Sequence, residues 1–146
     1  MYKNSSETGN IGETMALSEF ARRRIPVLIP FGQNVPYDLV IQINNKFYKI
    51  QCKTTGKVVD QDKMIFSICR TNGFTGVHSQ YSKEEIDFFF LHCIENGYCG
   101  IVPIDQVKSK REFTLRLRAP KNKQFKNIKM ANNFLIDSQI EKIKST

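Results

Sequence analysis

The sequence contains no CxxC pair, only two histidines and no long apolar run, and each shortage closes off a class of protein. Cys52, Cys69, Cys93 and Cys99 lack the paired spacing of zinc ribbons and dithiol redox motifs. Each lies in or beside an apolar stretch, so they read as buried, reduced thiols. His78 and His92 have no neighbouring ligand in sequence, which excludes a histidine-rich metal site and leaves oxygen ligands for any metal. No apolar segment approaches the roughly 18 residues of a membrane span, and the polar stretch Met1–Thr8 lacks the hydrophobic core of a signal peptide. A cytoplasmic, intracellular protein with no membrane partner is expected. Internal repeats and low-complexity segments are absent too.

What is present is a chain of 146 residues, 40% hydrophobic, with a net charge of +8. That length and composition suit one domain over 1–146 that buries its own core without staples. The excess of cations favours a polyanionic partner, because each neutralised phosphate releases condensed counterions. The excess is uneven. Between Lys108 and Lys129 lie nine basic residues, among them Arg116, Arg118, Lys121 and Lys123, against one acid, Glu112. Arg116 and Arg118 alternate with Leu115 and Leu117, which sets both guanidinium groups on one strand face, facing either a phosphate backbone or solvent.

Hydrophobic periodicity predicts a helix over 10–24, with Ile11, Met15, Leu17, Ser18 and Ala21 on its buried face and Pro26 ending it. Strands are predicted at 64–69, 87–93, 97–103 and 113–117, a long loop at 71–82, and one or two short helices over 126–143. Phe88, Phe89 and Phe90 read as straddling core and subunit interface rather than stacking on bases, and Asp87 is equally suited to capping its strand or to a site nearby. The result is a mixed α/β domain with a helix before a central sheet. Its core runs over about 9–104, followed by a basic strand and helices over 105–146.

The clearest signal is a hairpin. Leu39, Ile41 and Ile43 alternate with polar neighbours, and after Asn44-Asn45 the alternation resumes at Tyr48, Ile50 and Cys52. Asparagine tolerates the positive φ of a tight two-residue turn, so Ile43 opposes Lys46 and, counting outward, Asp38 opposes Gln51. Opposed Cβ atoms stand about 4.5–5.5 Å apart, and Lys53, two residues on, shares their face. A carboxylate, an amide oxygen and a lysine suit phosphodiester hydrolysis, in which oxygens hold a hard cation and the ammonium stabilises or orients the phosphate. The plainer alternative makes Asp38, Lys49, Gln51 and Lys53 the solvated face of a half-exposed hairpin. Glu13 has two readings as well: it closes a capping box on Asn10, or it approaches the same site from the flank of the helix. Arg70, Asn72, His78 and Gln80, around the Gly73–Gly76 loop, carry side chains suited to base edges.

The order Gly12-Glu13 on a first helix, Pro36-Tyr37-Asp38 entering a strand and Gln51-Cys52-Lys53 on its partner resembles the PD-(D/E)XK nuclease superfamily. The segments YSKEEIDFFF from Tyr81, GIVPI from Gly100 and TLRLRAPKNKQ from Thr114 resemble its small branch containing a cyanobacterial group I intron-encoded homing endonuclease. The resemblance implies a restriction-endonuclease-like core of mixed sheet flanked by helices. It implies magnesium-dependent cleavage of double-stranded DNA, with manganese able to substitute and no organic cofactor, by a homodimer or homotetramer. Asp38 becomes the principal metal ligand, Gln51 and the Cys52 carbonyl further ligands, Lys53 the catalytic lysine and Glu13 the helix-borne carboxylate. Gln51 stands where the pattern usually has Asp or Glu, so it supplies an oxygen without charge. A Holliday-junction resolvase-like nuclease and a non-catalytic DNA-binding relative are the alternatives.

Overall fold

The computed structural model describes residues 4–32, 34–72 and 74–146. Helix α1 (Ser5–Arg22) leads into β1 (Val27–Leu28), the hairpin β2 (Leu39–Ile43) and β3 (Lys46–Thr55), then β4 (Lys63–Ser67), β5 (Arg70–Thr71) and β6 (His78–Ser79). Strands β7 (Phe88–Cys93), β8 (Cys99–Pro103) and β9 (Glu112–Arg116) follow, and helix α2 (Ile136–Lys144) comes last. The main sheet has the order β1-β2-β3-β7-β8, parallel only between β3 and β7, while β4 pairs with β9 and β5 with β6. The mixed α/β class expected from the sequence holds.

Asn44 and Asn45 adopt φ of 53° and 64°, the left-handed pair that a two-residue hairpin turn needs, and Ile43 opposes Lys46 as expected. Because side chains alternate, this one turn sorts the hairpin into two faces. Leu39, Ile41, Ile43, Ile50 and Cys52 join Phe90 and Ile101 against α1 and α2 in one core. On the other face Phe89, Leu91 and Val102 pack with Met64, Phe66, Phe113 and Leu115 of the β4–β9 pair in a second. Phe89 and Phe90 thus point into opposite cores of the same chain, and neither is left for a subunit interface. All four cysteines are free thiols. Among the described residues no helix is long and apolar enough to cross a membrane.

Helix α1 departs from expectation in extent and in face. It begins at Ser5, with the Asn4 side chain accepting from Glu7 N–H at 2.9 Å, so Asn10 lies inside the helix and forms no capping box with Glu13. It stops at Arg22, before Pro26, where Arg24 turns the chain at φ 58°. Its buried residues are Gly12, Ala16 and Phe20, while Leu17 is exposed. Close approach, rather than total hydrophobicity, chooses the face: a Cβ on Gly12 would stand 1.8 Å from Thr54 Oγ1 on β3. Only glycine lets the helix lie there, and residues 16 and 20 follow on the same stripe.

Candidate active site

Asp38 sits one residue before β2, where the ladder ends. Its N–H still donates to Ile50 O at 2.8 Å, which fixes its direction, and its carboxylate turns onto β3. There Oδ2 accepts from Gln51 Nε2 and from the Cys52 N–H, both at 2.8 Å. The Gln51 amide also donates to the Cys52 carbonyl at 3.3 Å, so the three groups expected to hold a cation share one small volume. Asp38 Oδ1 accepts no hydrogen bond from the described residues. Burial pushes the Asp38 carboxyl above its usual range, and the Cys52 N–H and the charge of Lys53 only partly offset this.

Lys53 points to the same face and donates from Nζ to Cys69 O at 3.2 Å. The ammonium also lies over the Tyr81 ring, 5.2 Å from its centroid. Burial lowers its pKa, while Asp38 pulls the other way. The lysine is therefore seated in a half-buried niche rather than standing free in solvent. Tyr81 packs edge-on against Phe89, and burial pushes its phenol up to about 12, so the ring is a neutral support.

Glu13 follows Gly12 on α1. Its pKa is raised first by burial and then by the charge of Asp38, and the Cys52 thiol is raised first by burial and then by both carboxylates. Two acids that repel each other across a site with an unused carboxylate oxygen fit a hard divalent cation, which takes oxygen ligands and relieves the repulsion. No group of three His, Cys, Asp or Glu residues with metal-ligand spacing occurs among the described residues, so any such site depends on amide and backbone oxygens.

The residues expected to meet DNA divide into two groups. Arg70 pairs with Glu85, Asn72 caps its own loop by accepting from Phe74 N–H at 2.9 Å, and Gly73 lies outside the described residues. His78 Nδ1 meets Thr71 Oγ1 at 3.0 Å, and Gln80 donates to Ser109 O at 3.5 Å. With Lys110 and Arg111, His78 and Gln80 line an open groove of about 550 Å³. Arg111 is tied to the residue before Cys69, its carbonyl accepting from Ile68 N–H at 2.9 Å. Strand β9 then carries the chain about 17 Å away at its rise per residue, so Arg116, Arg118, Lys121 and Lys123 lie at its far end. There Arg116 is paired with Asp62 at 2.7 Å and half-buried, while Arg118, Lys121 and Lys123 are exposed and outside any strand. Asp87 accepts from Lys49 N–H at 2.8 Å and serves as a cap on its strand.

Sequence reasoning missed the supports: Cys69 O, the Tyr81 ring, Glu85 and the Gly12–Thr54 contact all come from segments distant in sequence, and no local pattern marks them. A cavity of about 620 Å³ bordered by Tyr48, Phe88, Ile128 and Gln139 shares no residue with the site. An enzyme that acts on a polymer laid across its surface needs no enclosed pocket.

No curated protein matches the chain. Among solved structures it is similar to the bacterial homing endonuclease I-Ssp6803I, with a TM-score of 0.75 and 20% identity over 98% of this chain and 96% of that one. A family model for PD-(D/E)XK endonucleases matches residues 3–137, which take in α1, the hairpin, Lys53 and the sheet behind them, and the chain belongs to the PD-(D/E)XK endonuclease family.

Proposed function

We propose that this endonuclease makes site-specific double-strand cuts in DNA with the help of magnesium, in the manner of a homing enzyme. The observation that carries the reading is the meeting of Asp38 and Gln51 at 2.8 Å, beside the ammonium of Lys53 in its niche. Similarity in fold to a homing endonuclease supports the homing type.

Asp38 Oδ1, the Gln51 amide oxygen and the Cys52 carbonyl are the groups that would hold the cation, with Glu13 at its flank. A bound divalent cation polarises the phosphate and activates water. Gln51 spends its Nε2 on Asp38 in the free protein, and a half-turn of the amide presents Oε1 instead. Lys53 keeps its ammonium fixed between the Cys69 carbonyl and the Tyr81 ring, ready to pair with a non-bridging phosphate oxygen as charge develops. His78, Gln80, Lys110 and Arg111 would follow the duplex beside the site, with Arg118, Lys121 and Lys123 reaching phosphates further along. Cutting both strands requires two such sites related by two-fold symmetry, hence a homodimer or homotetramer.

The test is cleavage in magnesium of a duplex library, supercoiled plasmid and a synthetic four-way junction, by the parent, Asp38→Asn and Lys53→Ala. Cleavage at one rare duplex sequence, lost by at least about 100-fold in both folded variants, is the expected outcome. Symmetric nicking confined to the junction, or full turnover by either variant, would refute it.

A further inference from the structure

Lys53 is not the only cation on Tyr81. Arg70 also lies over the ring, its Cζ 4.8 Å from the centroid, and its terminal nitrogen pairs with Glu85 Oε2. This ion pair is incomplete on both sides. Glu85 has given Oε1 to the Ser82 N–H at 3.0 Å, where it closes the turn whose other bonds run from Glu85 N and Ile86 N to Ser82 O. Only Oε2 meets Arg70, whose Nε is buried without a hydrogen-bond partner among the described residues.

A guanidinium bound side-on uses Nε and a terminal nitrogen together and fits two oxygens of one oxyanion. Turned as it is toward Ser82, Glu85 does not offer both to Arg70. A phosphodiester carries two non-bridging oxygens and can. Because Glu85 keeps Ser82 as a partner and is only half-buried, its side chain 28% exposed, release from Arg70 leaves its carboxylate satisfied by its own turn and by water.

We propose that Arg70 is a second phosphate-binding residue of the active site, next to Lys53, and that Glu85 is its resident stand-in anion, displaced when a DNA phosphate takes the guanidinium side-on. The inference rests on the nuclease reading and adds to it a built-in competitor. In the free protein Glu85 neutralises a cation that would otherwise crowd Lys53 across one aromatic ring. On DNA the phosphate takes over that neutralisation and satisfies Nε as well.

Binding of a 30-base-pair random-sequence duplex, followed by fluorescence anisotropy in EDTA over a series of salt concentrations, tests the exchange. Glu85→Gln keeps an oxygen for Ser82 N–H but gives up the competing charge. It should bind about threefold to tenfold more tightly than Glu84→Gln, which removes a neighbouring exposed carboxylate that makes no such pair. Its salt slope should steepen by about 0.9, since Arg70 now releases a counterion instead of trading one anion for another. In an Arg70→Gln background Glu85→Gln should do no more than Glu84→Gln, while Arg70→Lys, which keeps charge without the fork, should keep the change in salt slope but lose most of the gain in affinity. Melting curves establish that each variant is folded. An equal effect of Glu85→Gln with and without Arg70, or no difference from Glu84→Gln, overturns the exchange while leaving the nuclease reading intact. A parent that fails to bind duplex at any salt concentration overturns both.

Discussion

Gln51→Glu is the substitution that asks most of the site. In the parent, Gln51 Nε2 donates to Asp38 Oδ2 at 2.8 Å, so the introduced carboxylate would meet another where a donor stood. Two unit charges about 4 Å apart at an effective dielectric of 20 repel by about 4 kcal/mol. Taking up one proton is the escape. Holding a carboxyl of ordinary pKa near 4.3 protonated at pH 7 costs about 1.36 kcal/mol per unit, so the penalty settles near 3 to 4 kcal/mol. For a chain of this size that is a drop in Tm of about 6–16 °C.

The sign of the pH dependence follows. The pair binds a proton more tightly folded than unfolded, so the penalty is absent below pH 4, grows as pH rises, and stands at only about 1 kcal/mol at pH 5. Magnesium at about 100 times its Kd should return about 2.7 kcal/mol by mass action. The assay is thermal melting of parent and variant in EDTA and in magnesium, at pH 5 and 7. If the variant melts within 2 °C of the parent in EDTA at pH 7, or if the gap fails to close at pH 5, Gln51 and Asp38 do not form one site.

Gly12→Ala should cost about 1–3 kcal/mol and reduce cleavage by displacing Glu13, and Thr54→Ala in the same chain should recover most of the lost Tm by removing the Oγ1 that lies 1.8 Å from the new Cβ; no recovery would place the strain elsewhere. Lys110→Ala with Arg111→Ala should lower the salt slope of duplex binding by about 1.8, whereas Arg116→Ala should leave the slope unchanged and lower stability by about 1–3 kcal/mol as Asp62 loses its partner. A slope change from Arg116→Ala would mean that it leaves Asp62 for DNA. Light scattering should show a dimer or tetramer, free or on duplex, and a monomer in both states would rule out paired cutting.

The hairpin was legible in the sequence because everything that sets it is local: two asparagines able to take positive φ, and alternation on both sides. The same counting put Gln51 opposite Asp38, and the match of register is close enough for a direct hydrogen bond. The buried face of α1 was not legible, since a glycine and an alanine carry little hydrophobic signal and the value of Gly12 lies in letting Thr54 approach. Alternation also placed Arg116 correctly on an outward face of β9 but was blind to Asp62, more than fifty residues upstream, which claims it. Strands β5 and β6, two residues each, are too short to alternate at all, and nearly all of their sequence falls in the loop expected over 71–82. The niche of Lys53 was hidden for the same reason as Asp62: it exists only once distant segments meet.

That separation has a consequence for how the enzyme comes into being. The Asp38–Gln51 hairpin closes over a two-residue turn and can form as soon as residues 38–51 are free to pair, on the microsecond scale of hairpins. Strand β3 gains its parallel neighbour only when β7 arrives from beyond a crossover that carries Cys69, Arg70 and Tyr81, and loop closure over that span is slow and costly. A chain still emerging from the ribosome therefore owns its Asp38–Gln51 pair before it owns a seated lysine. If the proposed site is the cutting site, competence to cut waits for the whole sheet, and an unfinished copy would leave DNA intact.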